Sequence, residues 1–289
     1  MHLPDLRQTP RNPSRPIGLP QLPWNVSIVW VSDPHLDRAS PAAVDAFLAT
    51  LRERGPNAVI LTGDLSNSSR LIADLESLAD AAAAPLYFVL GNHDHYGASI
   101  ATVRDAVVEL ASRRPEIQWL PPRGPVRLDP ETLLVGIDGW ADGRHGDPLR
   151  TPLVLNDDRL IAEVAAQGGR AGKLMVKRVL ADADARRLEI LLGRAADESP
   201  RRIVVATHVP PFPEAIPAGS REAHPDWQPL LISGATGKVL GEFAATHPGI
   251  EFLVLTGHTH RGHQVRISDN IEVRVAPVRY GSPGVLDLR

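Results

Sequence analysis

The sequence predicts an α/β fold, a parallel sheet whose strands alternate with helices. Three observations carry this expectation. Short apolar runs recur along the chain, helix-length segments separate them, and the runs are almost continuously apolar rather than alternating. Unbroken apolarity marks strands covered on both faces, and strand–helix alternation marks βαβ units.

The regular pattern begins at Val26. VSIVWV (26–31) reads as the first strand, and Pro41 to Arg54 as a helix capped by Ser40 with proline in its first turn. AVILT (58–62) is the second strand, followed by a helix over Leu71–Ala83. LYFVL (86–90) is the third, followed by a helix across Ile100–Arg113. TLLVGIDGW (132–140) is a further strand that runs into a glycine-rich turn. Residues around 160–196 read as helical, most clearly Asp182–Ala196, with Asp182, Asp184, Arg186 and Arg187 on a solvated face. RIVVATH (202–208) and EFLVLTGHTH (251–260) return to the strand pattern, separated by a proline-rich loop and a helix near Thr236–Thr246. VRI, IEVRVA and GVLDL read as terminal antiparallel hairpin strands. Residues 1–24 carry prolines that oppose a helix and lack the apolar core of a secretory signal. They are expected to form a proline-rich extended arm, followed by one domain over residues 25–289.

Composition narrows the function classes. The chain is 43% hydrophobic and 22% charged, as in ordinary globular proteins, and its net charge of −3 provides no general attraction to nucleic acid or anionic lipid. Nucleic acid is not favoured as a partner, because no basic stripe or aromatic stacking series appears. There are no cysteines, which excludes disulfides, thiolate metal sites and cysteine nucleophiles. No apolar run is long enough to span a membrane, and a cytoplasmic location is the expectation. The oligomeric state is left open.

Five apolar runs end in the same way. VSIVWV leads into Ser32-Asp33-Pro34-His35, AVIL into Thr62-Gly63-Asp64, and LYFVL into Gly91-Asn92-His93-Asp94. RIVV leads into Ala206-Thr207-His208, and EFLVL into Thr256-Gly257-His258-Thr259-His260. The carboxyl ends of parallel strands share one edge, so the architecture delivers these polar groups to one place. Asp, His and Asn offer oxygen and imidazole donors suited to zinc, manganese or iron, and there are more of them than a single tetrahedral ion uses.

These blocks, in this order, resemble the motifs of the calcineurin-like metallophosphoesterases, from about Val26 to His260. Thr207 stands where that family often has glycine, and Leu-Ser-Asn follows Asp64; neither departure removes a donor. The resemblance implies a four-layer α/β/β/α sandwich of two mixed sheets flanked by helices. It implies two divalent metal ions (Mn, Fe or Zn), with Asp33, His35 and His260 on one, Asn92, His208 and His258 on the other, and Asp64 bridging both. It implies that His93, oriented by Asp94, serves the leaving group, and that metal-activated hydroxide attacks phosphorus in a small-molecule phosphomonoester or phosphodiester. Two divalent ions and two carboxylates leave a local charge of +2, which suits a phosphate on a mildly acidic protein. The competing reading is a non-catalytic metal-binding or scaffold protein that keeps the fold.

Blander readings apply elsewhere. His2, His224 and His247 read as ordinary polar residues. His95, Arg144, His145, Arg261 and His263 read as solvated loop residues or substrate contacts, outside the catalytic set. SGATGKV (233–239) lacks the spacing of a phosphate loop and reads as a helix start. The turn WADGRHGDPLR and the segment 210–235 are expected to form the rim that selects substrate.

Overall fold

Local signals set the helix boundaries. Ser40 accepts a hydrogen bond from the Ala43 amide and Pro41 opens α1 (Pro41–Arg54), which closes on Gly55 in the left-handed region. Ser99 likewise caps α3 (Ile100–Arg113) through the Thr102 amide, and α2 (Leu71–Ala82) lies between them. The computed structural model describes residues 27–288; the arm expected over residues 1–24 lies outside them.

Two sheets form. In the first, β1 (Ile28–Val31), β2 (Ala58–Thr62), β3 (Leu86–Val89) and β4 (Ile117–Trp119) run parallel, and β11 (Leu286–Leu288) pairs antiparallel with β1. The second has the order β5 (Val126–Asp129), β6 (Thr132–Gly136), β7 (Arg202–Ala206), β8 (Glu251–Thr256), β10 (Ile271–Val275), β9 (His263–Ser268). Its four central strands are parallel and its two edge strands antiparallel. The remaining helices are α4 (Asp157–Leu160), α5 (Ala162–Ala165), α6 (Gly169–Ala196), α7 (Gln228–Leu231) and α8 (Gly234–Thr246).

Strand periodicity explains the continuous apolar runs. Val29, Val31, Val59, Leu61 and Phe88 pack outward with Phe47, Leu51, Leu75 and Val107 of α1–α3. Their neighbours Ile28, Trp30, Ile60 and Val89 face the other sheet and meet Leu134, Val204, Leu253 and Leu255. On the far side, Leu133, Ile203, Phe252 and Val254 pack with Leu188, Leu191 and Leu192 of α6 and Leu240 of α8. The layers are α/β/β/α with both sheets mixed, as the resemblance implies.

Two expectations change, while the helix start read in SGATGKV holds. β9 and β10 form the terminal hairpin, but GVLDL crosses to the first sheet as β11, and β10 also runs parallel to β8. Asp184 is buried rather than solvated, because it accepts the Gly139 amide at 2.8 Å and fastens α6 beneath the turn after β6. α8 begins at Gly234, and its N-terminal amide at Ala235 meets the Asp142 carboxylate at 2.8 Å, a carboxylate on a helix N-terminus.

Phe88 on β3 is fully buried in the core between the first sheet and its helices. Phe88→Ala is expected to lower stability by about 3–5 kcal/mol, read as a lower urea midpoint with an unchanged slope.

Candidate metal centre

β1, β2 and β3 of one sheet and β7 and β8 of the other stop at a common junction. The Asp33 amide donates to the Gly63 carbonyl, and the Gly257 amide to the His208 carbonyl, each at 3.0 Å. Asp33 and His208 then join the sheets. The Asp33 carboxylate accepts the His258 amide at 2.9 Å, and the His208 ring reaches the Thr62 carbonyl at 2.9 Å. Close approach requires glycine here. A Cβ on Gly91 would collide with the Asp64 carboxylate, and one on Gly257 with the Asp33 carboxylate.

The backbone is strained where the donors stand. Among the described residues, seven non-glycine residues have positive φ, and five of them are Asp33, His35, Asp64, His258 and His260. Such conformations cost free energy and persist only where surrounding structure imposes them.

The structure brings together all seven residues named from the sequence as ligands. Ligand atoms of Asp33, His35, Asp64 and His260 lie within 4.8 Å of one another. His260 Nε2 stands 3.2 Å from the Asp33 carboxylate and 3.1 Å from His35 Nε2. Next to this group, His208 Nε2 is 3.0 Å from Asn92 Oδ1 and 3.4 Å from Asp64 Oδ1. His258 Nδ1 is 3.1 Å from the same Asn92 oxygen. Asp64 thus touches both groups, with its other oxygen 3.8 Å from His35 Nε2.

The tautomers follow from the far side of each ring. A carbonyl only accepts, so His208 donates Nδ1–H to Thr62, and His258 donates Nε2–H to Leu230 at 3.0 Å. In the neutral rings, His208 Nε2 and His258 Nδ1 would then turn lone pairs toward oxygens that also only accept, a conflict that a cation or a proton at this place relieves. His35 Nδ1 is buried without a hydrogen-bond partner. This inward-facing donor set fits divalent cations of the O/N-preferring kind.

The electrostatics express the same convergence. Burial opposes the charge on Asp64, but His208 and His93 hold its carboxyl well below the usual range, and His208 and His260 lower Asp33 likewise against burial. Burial depresses His35 and His258 to about 4. His208 is resisted by burial yet pushed up to about 10 by Asp64 and Asp33, so in the metal-free protein a proton occupies the position a cation would take. Burial and the Asp64 charge push Asp94 up to about 8.

The two residues assigned to catalysis stand in different surroundings. His93 is partly exposed; its Nε2 is 3.9 Å from Asp64 and its ring stacks on Tyr96 with centroids 4.3 Å apart. Asp94 is buried, and its oxygens accept the amides of Asp64, Ser66 and Gly91. It shapes the loops that carry Asp64 and Asn92, while the His93 ring is held by packing on Tyr96 and His35.

A cleft of about 480 Å³ opens over this cluster, lined in part by His93, Arg38, Arg221, Trp227 and Tyr280. The segment 210–235 supplies rim residues Arg221, Glu222, Trp227 and Leu231, as expected. The turn after Trp140 supports the rim from behind, with Gly146 against Pro225 and Pro229, and Leu155 and Asn156 line the cleft instead. Among the residues set aside, His95 is fully buried beside Trp140, Arg144 pairs with Asp142 and Asp182, and Arg261 pairs with Glu222. Sequence reasoning missed Tyr96, Asp157 and Tyr280. Tyr96 lies two residues from a motif and was within reach of inspection. Asp157 and Tyr280 stand in stretches without a local signal.

A family model described as calcineurin-like phosphoesterase matches residues 26–262. A UDP-2,3-diacylglucosamine hydrolase from Stenotrophomonas maltophilia is 32% identical over 81 residues, covering 24% of this chain and 33% of that protein. The match thus spans about a third of the curated relative's length. Phosphopantetheinyl hydrolase from Mycobacterium tuberculosis superposes with a TM-score of 0.61 at 15% identity, covering 88% of this chain and 90% of the other. A dimetal phosphatase from Danio rerio superposes with a TM-score of 0.54 at 14% identity, covering 86% of each chain. At these identities the structural likeness shows the fold.

The raised His208 pKa has a definite sign. Its folded value is about 10 against 6.5 for the free side chain, so its stabilising contribution is complete below pH 6.5 and disappears as pH rises through 10. Urea midpoints of the metal-free protein are expected to fall across that window, and His208→Asn to flatten the decline. An equally steep decline in the variant would remove His208 as its source.

Proposed function

The chain belongs to the calcineurin-like phosphoesterase family, and we propose that within this family of metal-dependent hydrolases it cleaves a small-molecule phosphoester at the junction of the two sheets. The observation that carries the reading is the convergence of acceptor atoms from Asp33, His35, Asp64, Asn92, His208, His258 and His260. Asp33, His35 and His260 would hold one divalent ion, Asn92, His208 and His258 the other, and Asp64 both. When bound, such ions neutralise phosphoryl oxygens and lower the pKa of water toward ~7.

The chain's own side chains divide the remaining work. His93 faces the cleft beside Asp64 and is positioned to hold or deliver a proton at the leaving-group oxygen. Arg38 and Arg221 add positive charge at the rim, and Trp227, Leu231 and Leu155 provide apolar surface. A substrate with an anionic centre and an apolar portion suits that lining, in keeping with a relative named for a diacylated nucleotide sugar. Because the donors come from both sheets, residues 25–289 would act as one domain.

The proposal is tested by metal analysis together with hydrolysis of a panel of phosphomonoesters and phosphodiesters. Nearly two ions per chain and turnover of at least one ester class are expected. A chain that binds no metal and turns over nothing would be a scaffold. His93→Ala is expected to keep both ions and lose about 10²–10⁴-fold in kcat; unchanged kcat would reject the proton role. Asp64→Asn is expected to weaken both metal positions together, and loss of one ion alone would contradict the bridge.

A further inference from the structure

We propose that Asp157 is a positioning residue that locks the Asn92 side-chain amide with its oxygen toward His208 and His258. The inference rests on the two-ion reading above and concerns the means by which this chain prepares the second position.

An asparagine amide fits its space almost equally well in two orientations, and only one presents oxygen to a cation. Here a determinant of the choice lies on the side away from the imidazoles. Asn92 Nδ2 lies 2.7 Å from Asp157 Oδ1 and 3.0 Å from the Tyr96 hydroxyl. The same hydroxyl donates to Asp157 Oδ1 at 2.6 Å, so its oxygen is free to accept from Nδ2. All three side chains are buried. A carboxylate can only accept, so turning the amide over would set two oxygens face to face at 2.7 Å, too close for a water to fit between them. Lys177 stands 3.9 Å from Asp157, compensates its charge, and is itself anchored on Asp158 at 2.7 Å.

Asp157 comes from outside the motif blocks. It begins α4, and this stretch is sewn to the loop after His93 by the Gly97 amide on the Leu160 carbonyl and the Ala162 amide on the Ala98 carbonyl. Glu163 adds a further tie by accepting the Ile100 amide at 2.9 Å, without touching Asn92. That separation lets the amide lock be distinguished from general docking of the segment.

The test is calorimetric titration of the full metal-free chain with Mn²⁺, using Asp157→Leu, which has similar size but no acceptor, Asp157→Asn, which keeps an acceptor oxygen, and Glu163→Ala. Asp157→Leu is expected to retain one ion and bind the other about 10–100-fold more weakly. Asp157→Asn is expected to recover most of that loss, and Glu163→Ala to match the parent protein. Unchanged affinities in Asp157→Leu, or equal weakening in Glu163→Ala, would overturn the proposal. A second measurement needs no variant: in the metal-free parent protein, the ¹⁵N-resolved Asn92 side-chain amide protons are expected to be protected from exchange, and free exchange would overturn the lock even if Asp157→Leu fails to fold. Fewer than two ions on the parent protein would instead count against the two-ion reading, leaving the amide result to be judged separately.

Discussion

Acceptor atoms in this protein are forced together without enough protons to separate them. Asp33, Asp64, Asn92 and four imidazoles crowd the seam between two sheets, and the second nitrogens of His208 and His258 are already committed to backbone carbonyls. Burying carboxylates in this way is unfavourable unless a positive charge answers them. The strained backbone at Asp33, His35, Asp64, His258 and His260 is compatible with the same demand, since each turn places a donor where regular geometry would not. A divalent pair would relieve the repulsion that folding creates, coupling metal binding to stability.

The architecture explains why the donors come from five separate places. Each strand is buried on both faces, so its only route to solvent is its end. β1, β2 and β3 contribute Asp33, His35, Asp64 and Asn92 from one sheet, and β7 and β8 contribute His208, His258 and His260 from the other. The inter-sheet core of Trp30, Ile60, Val204 and Leu255 keeps those ends aligned. Packing far below the cleft is therefore part of the chemistry, because a shift between sheets would separate His208 from Asn92.

Much of this was legible in the sequence, for a physical reason. Glycine beside a polar group after an apolar run, as at Gly63-Asp64 and Gly257-His258, signals both the end of a buried strand and a close backbone approach. What remained hidden depends on contacts between distant segments. Asp157 looks like any acidic residue at a helix start, and only the folded chain sets it against Asn92. Asp184 sits in a charged helical stretch, yet an amide from the turn after β6 draws it inward. GVLDL has the pattern of a strand, but which sheet it joins is decided by the free edge of β1. The position of Asp94 was legible, whereas its use as an acceptor for three loop amides was not.

The most direct measurement is anomalous diffraction at the manganese edge from crystals of the full chain grown with Mn²⁺. Two peaks are expected at the seam, both within bonding distance of the Asp64 carboxylate, one beside His35 and His260 and the other beside Asn92 and His208. A single peak, or a pair of peaks of which only one reaches Asp64, would contradict the bridged pair.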